Sequence, residues 1–188
     1  MHGHQFYRTT LQGLFSLDLS SAGTFTNQFR SGFQNLGKEA NDKAEGIGLE
    51  KIEKIKAYRL PIDTRIRRIQ LLLHALGRME GGAKQTLHYT DVSPAFVMAA
   101  VTRGGNHIFG RIITTSREGH PTINESALQY VSDVFSEDLL SGVYVGRTAG
   151  FMDDAQGTLD KFGLTTNHPR EALDTLAGDL AKHLEWLE

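Results

Sequence analysis

The stretch PIDTRIRRIQLLLHALGRMEGG, residues 61–82, constrains the chain most. Ile62, Ile66, Ile69, Leu72, Leu73 and Leu76 recur at helical spacing, which predicts an amphipathic helix that must bury one face. Pro61 and Asp63 are start signals, and Gly81-Gly82 are expected to stop it. At about 100° per residue, Arg67, His74 and Arg78 fall opposite the stripe, on a solvated face. Arg65 projects nearer the apolar side, so its guanidinium must reach outward, find a partner or meet a ligand.

A helix with one apolar face needs a layer to pack on. QFYRTTLQGLFSLDLSSAGTF, from residue 5, alternates with Leu11, Phe15, Leu17 and Leu19 on one parity, which predicts a long strand. Residues 24–59 have four glycines and many charges, and read as a flexible insertion. Within it, Arg30 lies between aromatics that include Phe33, a combination able to stack on nucleobases or simply to anchor a loop. TLHYTDV, AFVMAAVT and HIFGRIIT read as three strands, the last two joined by RGGN as a hairpin turn. PTINESALQYVSDVFSEDLL reads as a helix capped by Asn124, with Ile123 and Leu128 as a staple and Ala127, Val131, Val134 and Phe135 as its stripe. SGVYVGRTAG reads as a short strand. HPREALDTLAGDLAKHLEWL reads as a final helix with Pro169 early and Leu173, Leu176, Leu180, Leu184 and Leu187 on one face. The order predicts one α+β domain over 1–188, with helices on a mostly antiparallel sheet and a C-terminal helical segment at 153–188.

With 188 residues the chain can bury a core without staples, and with no cysteine it has none to use. No apolar run approaches 18 residues, and the start, MHGHQFYRTT, lacks the apolar centre of a signal peptide. These features read as a soluble, cytoplasmic protein. His2 and His4 read as a loose terminus rather than a metal pair. The net charge of −2 hides an asymmetry: residues 1–120 hold 16 Lys+Arg against 10 Asp+Glu, and residues 121–188 hold 4 against 12. Opposed halves suit a polyanionic partner on the basic part, or head-to-tail docking of copies.

No phosphate-binding loop, dinucleotide fingerprint, zinc-protease helix or nucleophile elbow occurs. His74, His88, His107 and His120 share no ligand spacing. Asp153-Asp154 read as a cap or a solvated pair, and Asp91 as a residue bonding its own turn. What the sequence offers suits binding. In RMEGGAKQT, Gly81 is expected past the helix end with positive φ, and Gly82 where a ligand approaches the backbone. Lys84 would offset a phosphate, Gln85 would bond a sugar or phosphate oxygen, and Arg65 and Arg78 would add charge.

Three stretches together, FYRTTLQGLFSLDLSSAGTF, RRIQLLLHALGRMEGGAKQTLHYTDVSPAFVMAAV and LLSGVYVGRTAGFMD, resemble the DevR-type CRISPR-associated backbone protein of type I Cascade effectors, in the RAMP superfamily. That family too has a helix and a glycine- and cation-bearing turn ahead of a strand. The resemblance spans roughly residues 5 to 155. It implies an RRM-like (ferredoxin-like) palm with a long insertion and extra helices, no cofactor and no cleavage. It also implies stacking of copies along a CRISPR RNA, with other Cascade subunits, so that the guide pairs with target DNA in antiviral defence. Family members carry a longer front ahead of the position of Phe6, so the palm here is expected to be incomplete at its N-terminal side. Two other readings stay open: a RAMP-type endoribonuclease processing CRISPR RNA, with Lys84, His88 and Tyr89 as its candidates, and a protein-interaction module without nucleic acid.

Overall fold

The computed structural model describes residues 9–26, 35–81 and 91–188. They form an α+β structure of small sheets and several helices. In chain order these are β1 (Thr24–Thr26), α1 (Lys38–Lys43), β2 (Glu50–Ile52), β3 (Ala57–Arg59), α2 (Ile62–Gly77), β4 (Phe96–Ala99), β5 (Ile113–Thr115), β6 (Pro121–Ile123), α3 (Glu125–Val134), β7 (Tyr144–Arg147), α4 (Gln156–Lys161), β8 (Thr166–Asn167) and α5 (Pro169–Leu180). Three sheets result: β1-β3-β2 and the β5-β6 hairpin, both antiparallel, and β4-β7-β8, in which β7 pairs antiparallel with β4 and parallel with β8.

The main core lies between α2 and α5. Ile66, Ile69 and Leu73 of α2 meet Leu173, Leu176, Ala177 and Leu180 of α5, and Val101, Trp186 and Leu187 close the cluster. The α5 end facing β7 is tightly specified. His168 Nδ1 accepts from the Arg170 N–H and the Glu171 carboxylate accepts from the His168 N–H, a reciprocal cap with Pro169 at the first helical position. Gly146 of β7 lies directly beneath: a Cβ there would sit 2.4 Å from Pro169 Cα. A second cluster gathers Ile112, Leu128 and Val131, with Ile123 packed against it, and Asn124 caps α3 by accepting from the Ala127 N–H at 3.1 Å.

Several expectations need correction. Residues 9–18 form no strand: Leu11, Leu14 and Phe15 are exposed. The Asp18 carboxylate accepts from the N–H groups of Ser20 and Ser21 and from the Ser20 hydroxyl, which turns the chain where alternation suggested extension. The insertion 24–59 carries a three-stranded sheet. RGGN does not close a hairpin, because β4 takes β7 as its partner. The chain after β4 instead runs against 138–141, with Arg103 N–H donating to Asp138 O and Leu140 N–H to Val101 O. HIFGRIIT is a turn up to Ile112 and a strand only from Ile113. TLHYTDV lies outside the described residues except for Asp91 and Val92, which are in no strand. Helix α2 ends at Gly77, not at Gly81-Gly82: a Cβ at Gly77 would already touch Arg170 and Leu173 of α5. Leu72, Val134 and Leu184, each placed in an apolar stripe, are 41%, 53% and 45% exposed.

Arg65 is the one charged side chain that is buried among the described residues. Its Nε donates to Ala22 O at 2.8 Å, and its Nη2 donates to the carbonyls of Leu19, Ser20 and Leu187 at 2.9, 3.1 and 2.8 Å. Burial, with Arg59 nearby, lowers its pKa, yet a guanidinium remains a cation at any physiological pH.

Two substitutions test this packing. Arg65→Met keeps volume but leaves those carbonyls without their donor, and should lower unfolding stability by about 3 kcal/mol in urea titration. Gly146→Ala forces Pro169 off the strand and should cost about 2–3 kcal/mol, where an ordinary exposed Gly→Ala change is neutral or stabilising.

Candidate functional site

The residues expected to meet a ligand do not come together. Gly82, Lys84, Gln85, Arg30 and Phe33 lie outside the described residues, as do His88 and Tyr89. Arg65 and Arg78 stand at opposite ends of α2, about 20 Å apart by helical rise. Arg65 faces inward onto carbonyls and presents no charge to a partner. Gly81 has φ +142° with open space where a Cβ would point, so it takes the positive φ expected of it, four residues beyond the end of α2.

Arg78 is exposed but paired. Its Nη1 and Nη2 donate to Oδ1 and Oδ2 of Asp174 on α5, at 2.9 and 2.6 Å, a bidentate fork. His74 Nδ1 lies 2.5 Å from the same Oδ1. The Arg78 hydrogen bonds, with help from His74, hold the Asp174 carboxyl down at about 2. This cluster joins α2 to α5, so Arg78 serves the helix interface rather than adding an unpaired cation.

A concave surface lies elsewhere. A groove of about 600 Å³ opens between residues 15–20, the segment after β4, and the C-terminal turn. Ile69, Leu73, Leu176 and Leu180 give it an apolar floor. Phe15 and Phe109 supply aromatic surface, and the loop Arg103–His107 supplies polar groups. Gly104 has φ +90°, which bends that loop away from a hairpin path. Sequence reading missed Arg103, Asn106 and His107 because RGGN fits a tight turn. The available signal was a cation beside paired glycines, the same composition as the turn after α2.

Asp18 is held below the usual carboxylate range by Ser21 and Ser20, and Glu185 by His183, so both are anions near neutral pH. Among the described residues no three His, Asp or Glu side chains are grouped to hold a metal ion. Asp91 accepts from Ser93, as a turn-forming carboxylate does. Asp153 pairs with Arg147 and accepts from the Gly150 N–H, so it is part of a loop closure. Among the described residues no helix is long and apolar enough to cross a membrane.

Comparisons of the chain with family models, with curated proteins and with solved structures give no match.

The Asp174 cluster makes a pH prediction. A carboxyl lowered from 3.8 to about 2 stabilises the fold fully above 3.8, and that contribution is lost as pH falls toward 2. Asp174 is about one-third exposed, so solvent screening limits the effect. Asp174→Asn should lower stability at neutral pH by up to about 1 kcal/mol and flatten the acid limb of a stability-against-pH curve.

Proposed function

We propose that this chain is a non-catalytic RNA-binding subunit, with an RRM-like palm, that stacks along the CRISPR RNA of a type I interference complex. The observation that carries the reading is where the three family-like stretches meet. They are far apart in sequence, at residues 6–25, 67–101 and 139–153. In the fold, Leu17, Leu19 and Ala22 of the first pack on the core that holds Ile69, Leu73 and Val101 of the second. Strand β4 of the second pairs with β7 of the third along its whole length. The three stretches thus meet in the fold, and the first also supplies β1 to the small sheet that β2 and β3 complete. The basic part also keeps unpaired cations: Arg67 and Arg68 are exposed on α2, and among the described residues neither has an ion-pair partner. Such cations suit a sugar-phosphate strand read through its backbone.

The test is fluorescence anisotropy of labelled single-stranded RNA across a salt series. Affinity should fall with salt, with a logarithmic slope of about −0.7 per phosphate neutralised, and scrambled sequences should bind within a few-fold of one another. Lys84→Ala should reduce the slope by about one phosphate, and Gly82→Val should weaken binding further, because a branched side chain blocks the backbone. Labelled RNA should remain intact with and without magnesium. Salt-independent affinity would overturn the RNA reading, and cleavage abolished by His88→Ala or Tyr89→Phe would turn it toward the endoribonuclease.

A further inference from the structure

The C-terminal turn carries the chain's one tryptophan and a histidine laid flat against it. After α5 the N–H groups of Lys182 and His183 both donate to Asp179 O, and a 3-10 turn at Leu184–Leu187 follows. Trp186 and Leu187 of that turn are buried in the main core, and Leu187 O is one of the four carbonyls on Arg65. The His183 and Trp186 rings are stacked, with centroids 4.4 Å apart and planes 12° from parallel. His183 Nδ1 also lies 2.7 Å from Glu185 Oε1. One exposed imidazole thus touches both the indole and a carboxylate of the same turn.

That placement favours a charged ring. An imidazolium is drawn to the indole face and to the carboxylate, whereas a neutral imidazole keeps only the stack and a weaker hydrogen bond. The hydrogen bond from His183 holds the Glu185 carboxyl below the usual carboxylate range, so this partner is an anion near neutral pH. On α5, Asp179 is held low first by its hydrogen bond from Lys182 and next by that from the Tyr144 hydroxyl of β7, and it also feels the charge of His183. Lys182 is the cation beside the ring, and its ammonium is spent on Asp179 at 2.8 Å. Asp18, Arg103, His107 and Glu188 stand along the groove that Glu185 and Trp186 also line. The turn and the end of α5 thus present Asp179, Glu185 and Glu188 against Lys182.

From this geometry we infer that His183 is a proton-operated latch on the C-terminal turn: its cation holds Trp186 and Leu187 in the core, and its neutral form lets the turn open and uncover the groove floor at Leu176 and Leu180. The turn is the part of the core easiest to release, because it is one short 3-10 turn held by two apolar side chains. Arg65 keeps the carbonyls of Leu19, Ser20 and Ala22 when that of Leu187 leaves, so opening strands no buried cation. Stability supplied by a cation is present at low pH and is lost as pH rises through the range where histidine changes charge, about pH 5 to 8. The latch belongs to this chain alone and is independent of RNA.

As the sole tryptophan, Trp186 reports on its own turn. The test is acrylamide quenching of its emission in the full chain, from about pH 5 to about pH 9 at constant ionic strength, with circular dichroism following the fold at each pH. Quenching of the parent should rise with pH. His183→Gln should remove the rise and be quenched at every pH as the parent is at the top of the range. His183→Arg keeps a flat cation that stacks on indole and pairs with the carboxylate, so its tryptophan should stay protected throughout. Glu185→Gln should shrink the rise, because one of the two attractions is gone. His107→Gln, which removes the histidine of the groove rim, should leave the rise as in the parent. Parent quenching that does not change with pH, a rise that survives in His183→Gln, a rise abolished by His107→Gln, or His183→Arg opening with pH as the parent does would overturn the inference.

Discussion

The guanidinium of Arg65 ties together parts of the chain that share little else. It sits in the first turns of α2 and bonds carbonyls at Leu19, Ser20, Ala22 and Leu187, so one side chain joins the front turn, the longest helix and the C-terminal end. A buried cation is costly unless its donors are met by well-placed acceptors, and here these are backbone carbonyls. The consequence is specificity of conformation. The carbonyls of Leu19, Ser20 and Ala22 must converge on one point, which excludes the pleat of a strand, where successive carbonyls alternate in direction. Arg59 reinforces the same turn, with Nε donating to Thr24 Oγ1 at 3.0 Å and Nη2 directed at Ser20 O. Gly23 follows with φ +73°, and a Cβ there would sit 3.0 Å from Arg65 Cγ, so the turn and the arginine fit only as a pair.

This constraint explains what was legible in the sequence. Elements whose signals are local were readable. The cap at Asn124, the early Pro169 and the apolar repeats of α2 and α5 act within a few residues, and the helices start where these predict, although α2 stops at Gly77 and α5 at Leu180. The position of Arg65 near the apolar side of α2 was readable too, with reach outward, a partner or a ligand as its options. Which option holds depends on carbonyls up to 122 residues away, and no local pattern encodes them. Strand pairing failed for the same reason. Leu11, Phe15, Leu17 and Leu19 alternate as a strand would, but alternation fixes a face and not a neighbour, and Leu17 and Leu19 reach the core from an irregular segment. The RGGN turn failed because β4 finds β7 across 45 residues or more, while the loop between β4 and β5 lines a groove.

Three glycines divide along similar lines. Gly81 takes positive φ in open space, with nothing near its missing Cβ, so its glycine is required by conformation alone. Gly104 is alike, at φ +90° with nothing near. Gly146 is the opposite case: no unusual φ, and a neighbouring helix that excludes any side chain. From sequence all three are simply glycines near basic or turn-like residues. Only packing separates a glycine that frees a loop from one that lets β7 and α5 touch, and only the former leaves its backbone accessible.

The charge asymmetry survives folding, which bears on how such a chain meets its partners. Among the described residues, ion pairs such as Lys43–Glu39, Lys51–Glu53, Lys161–Glu125 and Lys182–Asp179 lie within one part of the chain and leave the imbalance between parts unchanged. Among the described residues, Asp174 is the one carboxylate of the acidic part that forms an ion pair with groups of the basic part, Arg78 and His74. The fold therefore keeps most of its opposed charge on the surface instead of cancelling it across the α2–α5 interface. A field of this kind acts over about 8 Å at physiological ionic strength, enough to orient an approaching chain before contact and too short to hold it there. Lasting association then needs apolar burial at the point of contact.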